Sequence, residues 1–146
     1  MRAARRRGNA MLEFGIAFAV LFPLFAGSFQ FGYSFYLYNE LETQVRGGAR
    51  YAAKRVYDSA TSTPTTAYRT AVANMVVYGD PAGGTSPVVP GLTPSNVSVV
   101  VTFANNIPAE VTVSIVNYNL NAVVKAIQMN GKPKVSFPYS GRWGVT

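Results

Sequence analysis

The sequence predicts an α+β protein. A long N-terminal transmembrane helix continues as a stalk and carries a small head of one or two helices on a short antiparallel sheet. Residues 14–39 form a run of 26 without a charged side chain. Nearer the C-terminus, residues 97–103 and 111–116 place apolar side chains at every second position, which is typical of half-buried strands. The chain then divides into three parts: residues 1–8, a basic leader peptide; residues 9–57, the helix with its extracytoplasmic extension; and residues 58–146, the head.

Composition limits the functions that this chain can have. Among 146 residues there is no cysteine and no histidine, and charged residues make up only 13%. Disulfides, thiolate or imidazole metal sites and nucleophilic schemes based on Cys or His are therefore excluded. Only six carboxylates are present, and Asp58, Asp80 and Glu110 fall in separate elements without a His or Cys partner, so we expect neither enzymatic activity nor a bound metal or cofactor.

The net charge of +7 comes largely from the N-terminus, where Arg2, Arg5, Arg6 and Arg7 lie within the first seven residues. This distribution is typical of a membrane-flanking segment rather than a nucleic-acid surface, so we expect membrane lipid and no nucleic acid as a partner. A helix of 26 residues covers about 39 Å, enough to cross a hydrocarbon core of about 30 Å. The leader arginines favour a cytoplasmic N-terminus, although four basic residues also follow the run: Arg46, Arg50, Lys54 and Arg55.

The uncharged run also has features suited to packing against other helices. Bulky aromatic side chains recur at helical spacing, and Gly15 and Ala19 form a small-xxx-small pair that permits close helix approach in lipid. Pro23 removes one backbone hydrogen bond and predicts a kink. Ordinary lipid-facing aromatics remain the alternative interpretation. The aromatic stripe contains Phe18, Phe22, Phe25, Phe29, Tyr33 and Tyr36.

One short motif, residues 5–14, combines a basic leader with a glycine and an early glutamate. Three arginines precede Gly8, and Glu13 stands five residues after that glycine, at the start of the uncharged run. Asn9 is a candidate helix N-cap, and a glutamate in the first turn is stabilised by the helix dipole. An acidic residue at membrane depth usually marks a function.

This pattern resembles the class III signal of type IV pilins and pseudopilins. The resemblance implies a type IV pilin-like fold and cleavage by a prepilin peptidase between Gly8 and Asn9, with Glu13 retained in the mature chain. Cleavage would create an α-amino group on Asn9, and Glu13 of a neighbouring subunit could neutralise it as both leave the lipid.

The residues that follow narrow the resemblance to one family. Glu13, the aromatic end of the run and the stretch 45–53 (Val-Arg-Gly-Gly-Ala-Arg-Tyr-Ala-Ala) are similar to the TadE-like family of the tight-adherence (Flp) pilus system. Gln44 and Val45 depart from the small residues usual before Arg46. The resemblance implies a minor pseudopilin of TadE or TadF type in the bacterial inner membrane or in an adhesive pilus. It also implies as partners a prepilin peptidase, the major Flp-type pilin, other pseudopilins and pilus assembly platform proteins.

The outer part of the chain predicts the elements of the head. An apolar line of Leu41, Val45, Ala49, Ala52 and Val56 continues the first helix to about Tyr57, with ion pairs Glu42–Arg46 and Lys54–Asp58 on another face. Thr65 or Thr66 caps a second helix that ends near Tyr78. Residues 105–109 form the connection of a hairpin, a short helix covers about 121–129, and prolines 133 and 138 make the last strand an edge strand.

Two other functions remain open at this stage. The chain could be an uncleaved single-pass membrane protein that presents its head to a binding partner, or a basic head that captures DNA. The second is disfavoured, because the residues after the leader carry only a small positive excess.

Overall fold

A computed structural model describes residues 2–121 and 126–144, with side chains from residue 9 onward. A long helix, a second helix and a small antiparallel sheet confirm the predicted α+β class. The helices are α1 (Arg2–Lys54) and α2 (Thr66–Tyr78), and a 3₁₀ turn covers Pro94–Asn96. The strands are β1 (Val97–Ala104), β2 (Ile107–Ile115), β3 (Tyr118–Asn121), β4 (Ala126–Met129) and β5 (Lys134–Pro138).

Helix α1 changes its environment along its length. Residues 9–36, here called the exposed segment, are exposed or half-buried, whereas Leu37 is the first buried residue, at 4% exposure. Beyond it, the predicted apolar line is confirmed, because its members in the helix are completely buried in the core of the head: Leu41, Val45, Ala49 and Ala52. Val56 lies past the end of the helix and is 49% exposed, so its inclusion was wrong. We call residues 37–54 the stalk.

Helix α2 packs against the stalk, and its ends follow the predicted signals. The Thr65 side chain accepts a hydrogen bond from the Tyr68 amide, and Gly79 closes the helix in the left-handed conformation with φ 75°. A Cβ atom at Gly48 would collide with Cγ2 of Val76. Gly48 therefore allows the two helices to approach closely.

The larger sheet has the order β1-β2-β5, with both pairs antiparallel. Val101, Val111 and Val113 are buried on its inner face. The β1–β2 connection is shorter than predicted: Asn105 and Asn106 alone make the turn, both with positive φ of 52° and 62°. Such a turn matches the twist of the two strands, and asparagine tolerates this conformation better than most residues. Strand β5 lies at the edge of the sheet, as predicted.

The predicted helix over residues 121–129 is wrong for the residues that the structure describes. Tyr118–Asn121 and Ala126–Met129 are strands that pair antiparallel in a second, two-stranded sheet, with Leu120 opposite Ile127. Tyr118 and Leu120 are buried against the head and alternate with exposed asparagines. Burial of every second residue is the pattern of a strand rather than of a helix. Residues 122–125 lie outside the described part of the chain.

Helix α1 ends at Lys54, three residues before the predicted position, and the head caps its last carbonyl groups. The Tyr68 hydroxyl donates to the Ala52 carbonyl at 2.6 Å, and the Ser140 amide donates to the Ala53 carbonyl at 2.9 Å. The Tyr139 hydroxyl lies 2.8 Å from the Arg55 carbonyl oxygen. The segment that follows β5 is therefore hydrogen-bonded to the end of the stalk.

Candidate membrane and assembly site

The exposed segment of α1 presents a largely apolar surface to its surroundings. The helix from Asn9 to Lys54 contains an 18-residue window with a mean hydropathy of 1.9, of which 0% is buried. The exposed fractions of its large side chains reach 81% at Met11 and 74% at Phe25. By length and composition this helix is a candidate membrane span, consistent with association with a membrane.

The exposed segment has the length that a bilayer requires. Glu13 and Leu37 are separated by 24 residues of continuous helix, about 36 Å at a rise of about 1.5 Å per residue. A hydrocarbon core is about 30 Å thick. The stalk, which starts at Leu37, therefore begins just beyond the point where a helix anchored at Glu13 would leave the hydrocarbon core.

The predicted processing and charge residues lie together at the start of this surface. Gly8 and Asn9 are within α1, which begins at Arg2, so the prediction that Asn9 caps the helix is wrong for this chain. Asn9 and Glu13 are both exposed and are one helical turn apart. Among the residues whose side chains the structure describes, Glu13 has no hydrogen-bond or ion-pair partner. Its carboxylate is available to a group outside this chain.

The predicted helix-packing residues all lie on the exposed segment. The rings of Phe18 and Phe22 stack with centroids 5.3 Å apart, and Phe14 extends the stack at 6.0 Å from Phe18. Further along, Phe25 is 74% and Phe29 59% exposed. These side chains form a continuous bulky stripe.

The small residues of the predicted notch are equally open to an approaching helix. A Cβ atom at Gly15 would meet nothing within 4 Å, and Ala19 is exposed. Helix α1 continues through Pro23. The geometry fits helix-to-helix packing between subunits, which stays a prediction because the structure contains one copy.

The charged face of the stalk behaves only partly as predicted. Arg46 donates to Glu42 at 2.8 Å, which confirms this pair. Lys54 and Asp58 do not pair, because the helix ends at Lys54 and the Asp58 carboxylate instead accepts a hydrogen bond from the Thr65 hydroxyl at 2.7 Å.

Sequence reasoning missed an aromatic cluster at the junction of stalk and head. The Tyr57 ring lies edge-on to the rings of Tyr68, Phe103 and Tyr139, with centroids 5.2 to 6.2 Å apart. Burial raises the pKa of the hydroxyl groups of Tyr57, Tyr68 and Tyr139 above their usual value. The residues of this aromatic cluster are up to 82 positions apart in the chain, so local periodicity could not have predicted that they lie together.

Comparison with known families identifies the N-terminal part of the chain. Residues 8–50 match the model of TadE-like protein. This segment is TadE-like. The match begins at Gly8 and contains Glu13, the exposed segment and most of the stalk, which confirms the recognised resemblance. No curated protein and no solved structure matches the chain.

The TadE-like match covers less than a third of the chain but nearly all of the candidate site. It indicates involvement in the tight-adherence pilus system, with partners from that system. The head, residues 58–146, lies outside the matched segment.

Proposed function

We propose that this chain is a minor pseudopilin that takes part in assembling an adhesive pilus of the tight-adherence type. One observation carries the proposal: an apolar helix of bilayer length is exposed or half-buried between Glu13, which has no partner among the described side chains, and the start of the stalk at Leu37. The TadE-like match over the same residues supports it. The exposed segment would cross the bacterial inner membrane with the N-terminus in the cytoplasm, since the leader arginines favour that side.

In this proposal the N-terminal leader is removed before assembly. A prepilin peptidase cleaves between Gly8 and Asn9, and Asn9 then carries a new α-amino group. The amine and the Glu13 carboxylate are each costly to desolvate alone, but they offset this cost when they meet between subunits. At about 4 Å and an effective dielectric constant of about 20, their attraction is about 4 kcal/mol. Glu13 therefore sets the register between neighbouring helices.

The exposed segment serves two environments in turn. Before assembly its aromatic stripe and glycines face lipid, and in a pilus they face the corresponding helices of the major pilin and other pseudopilins. The chain does not have to change conformation to make these interhelical contacts, because the stacked phenylalanines and the open position at Gly15 are already exposed. The stalk and the head lie on the outer side of the hydrocarbon core, available to pilus assembly platform proteins.

The proposed role is structural rather than catalytic. Among the residues that the structure describes, no group of three His, Cys, Asp or Glu side chains could hold a metal ion. Asp58 and Asp80 lie in separate loops on either side of α2, and Glu110 is on β2. The Asp58 carboxylate accepts a hydrogen bond from the Thr65 hydroxyl at 2.7 Å, and the Asp80 carboxylate accepts one from the Ala82 amide at 2.8 Å.

The mature N-terminal residue tests the processing step directly. The full chain is expressed in a strain with an active prepilin peptidase, purified from membranes and analysed by intact mass and N-terminal peptide mapping. We expect Asn9 as the first residue, and the uncut chain in a peptidase-deficient strain or in Gly8→Val, which places a branched side chain at the cut. Met1 or Arg2 at the N-terminus in the active strain would contradict processing and favour the uncleaved single-pass alternative.

A charge substitution tests the role of Glu13 separately. Glu13→Gln keeps the size of the side chain but removes its charge, so membrane insertion should be retained while incorporation into sheared pili falls at least tenfold. Glu42→Gln is the matched control, since it removes a carboxylate whose pair with Arg46 is exposed on the stalk. Equal incorporation of the two variants would refute the assembly role of Glu13.

A further inference from the structure

An apolar groove lies where the β3–β4 sheet meets α1. Its volume is about 290 Å³, and a second groove of about 190 Å³ adjoins it around Gln30. The groove is open along the helix, so the exposed segment of α1 forms one of its walls. Its lining residues are Phe31, Ser34, Phe35 and Tyr38 from α1, with Ile127 and Met129 from β4.

The position of this groove along α1 corresponds to the edge of a bilayer. About 20 helical residues cross a hydrocarbon core, so a helix anchored at Glu13 leaves the core near Tyr33. Phe31, Phe35 and Tyr38 fall within about a turn and a half of that point. Aromatic side chains concentrate at this membrane–water boundary. Because Ile127 lines both grooves together with Phe31, the described end of β4 lies at the same depth.

The two strands of this sheet have different surroundings. On β3, Tyr118 and Leu120 are buried in the head at 3% and 0% exposure. On β4, Ala126 and Gln128 are exposed and Ile127 is 43% exposed. Ile127 and Met129 pair with Leu120 and Tyr118 and so lie on the same face of the sheet, beside α1, where Ile127 stays partly exposed at the open groove.

The surface around Ile127 is continuous with the membrane-facing part of α1. Phe31 is 69% and Phe35 60% exposed, and both border the groove. Ile127 together with the neighbouring Phe31 and Phe35 therefore forms a contiguous exposed apolar patch. The Ile127 side chain placed among acyl chains and headgroups would bury its apolar surface.

We propose that the β3–β4 sheet rests on the outer surface of the lipid bilayer, with Ile127 inserted beside Phe31 and Phe35. The head is then held against the membrane at two places, the span itself and this strand, which fixes its orientation before assembly. This inference rests on the membrane anchoring in the proposed function, and goes beyond it by assigning a lipid contact to the head.

The absence of cysteine from the chain makes a sharp test possible. Single cysteines replace Ile127, Val100 and Phe25 in the full chain, and each carries a nitroxide spin label. The proteins are reconstituted into vesicles of phosphatidylethanolamine and phosphatidylglycerol. Val100, on β1 of the larger sheet, is the control away from the groove, at 53% exposure, and Phe25 is the control in the span, at 74% exposure. Collision with oxygen, which partitions into lipid, is compared with collision with a water-soluble nickel chelate.

We expect the label at Ile127 to show a ratio of oxygen to nickel accessibility several-fold higher than the label at Val100, and lower than the label at Phe25. Equal ratios at Ile127 and Val100, with Phe25 in lipid, would overturn the lipid contact and leave anchoring intact. A water-exposed Phe25 label would overturn the anchoring as well. Dipolar broadening at Ile127 that disappears on dilution with unlabelled protein would show a second copy in the groove, which also overturns the proposal.

Discussion

Two adjacent glycines in the stalk should respond in opposite directions to the same substitution. A Cβ atom at Gly47 meets nothing within 4 Å, whereas one at Gly48 collides with Cγ2 of the completely buried Val76. Alanine raises helix propensity at either position by about 1 kcal/mol. Gly47→Ala should therefore raise the free energy of unfolding of the head by about that amount.

Gly48→Ala carries an additional penalty, because the core must absorb a methyl group for which it has no space. Overpacking of this kind costs about 1–3 kcal/mol. After the gain in propensity, the variant should be between unchanged and about 2 kcal/mol less stable than the native chain. The two alanine variants should thus differ by about 1–3 kcal/mol. For a domain of about 100 residues, each kcal/mol shifts Tm by about 4–8 °C.

Thermal unfolding of the full chain in detergent micelles, followed by near-ultraviolet circular dichroism, measures this difference. A third variant, Val76→Ala, removes the methyl group that blocks Gly48. In the Val76→Ala background, Gly48→Ala should approach the stabilising effect of Gly47→Ala. An unchanged effect of Gly48→Ala in that background, or equal effects at both glycines in the native chain, would refute the close-approach account.

Three further substitutions in the head should change its stability. Tyr68→Phe should lower its stability by about 1–3 kcal/mol, because the Ala52 carbonyl loses its hydroxyl donor. Burial raises the pKa of Tyr68, so the folded form keeps its proton above pH about 10, where the unfolded chain loses it. The contribution of the Tyr68 hydroxyl to the free energy of unfolding is therefore complete below about pH 10 and falls above it. Between pH 8 and pH 12 the free energy of unfolding should decline less steeply in Tyr68→Phe than in the native chain. Asn106→Gly should raise Tm slightly, since its φ is 62°, whereas Asn106→Val should lower it. Tyr139→Phe should lower the denaturant midpoint by removing the hydroxyl beside the Arg55 carbonyl; an unchanged midpoint would refute its role as a cap.

Local sequence signals were sufficient for the elements whose structure depends on neighbouring residues. The uncharged run and the spacing of Leu41, Val45 and Ala49 define α1, and Thr65 with Gly79 defines the ends of α2. The start of the candidate site could be predicted for the same reason, since Gly8 and Glu13 lie within one short motif.

Features that depend on distant residues could not be predicted in this way. Apolar residues at positions 120, 123, 124 and 127 have a spacing that fits the periodicity of a helix as well as that of a strand. The burial of Leu120 against the head, which favours pairing of β3 with β4, depends on residues far along the chain. The end of α1 at Lys54 depends on hydrogen bonds from Tyr68 and Ser140, far along the chain. The groove at Ile127 likewise arises only when β4 is placed beside the helix.

The attachment of the C-terminal segment to the end of the stalk has a mechanical consequence. The Ser140 amide is bonded to Ala53, and the Trp143 indole donates to the Ser59 carbonyl at 3.0 Å. Under the proposed function, a pull on α1 would reach both α2 and the segment after β5 through the hydrogen bonds at Ala52 and Ala53. A label placed near Trp143 would lie at this attachment, whereas Thr85 and Ser86 are exposed in the loop after α2 and are a safer place for an insertion.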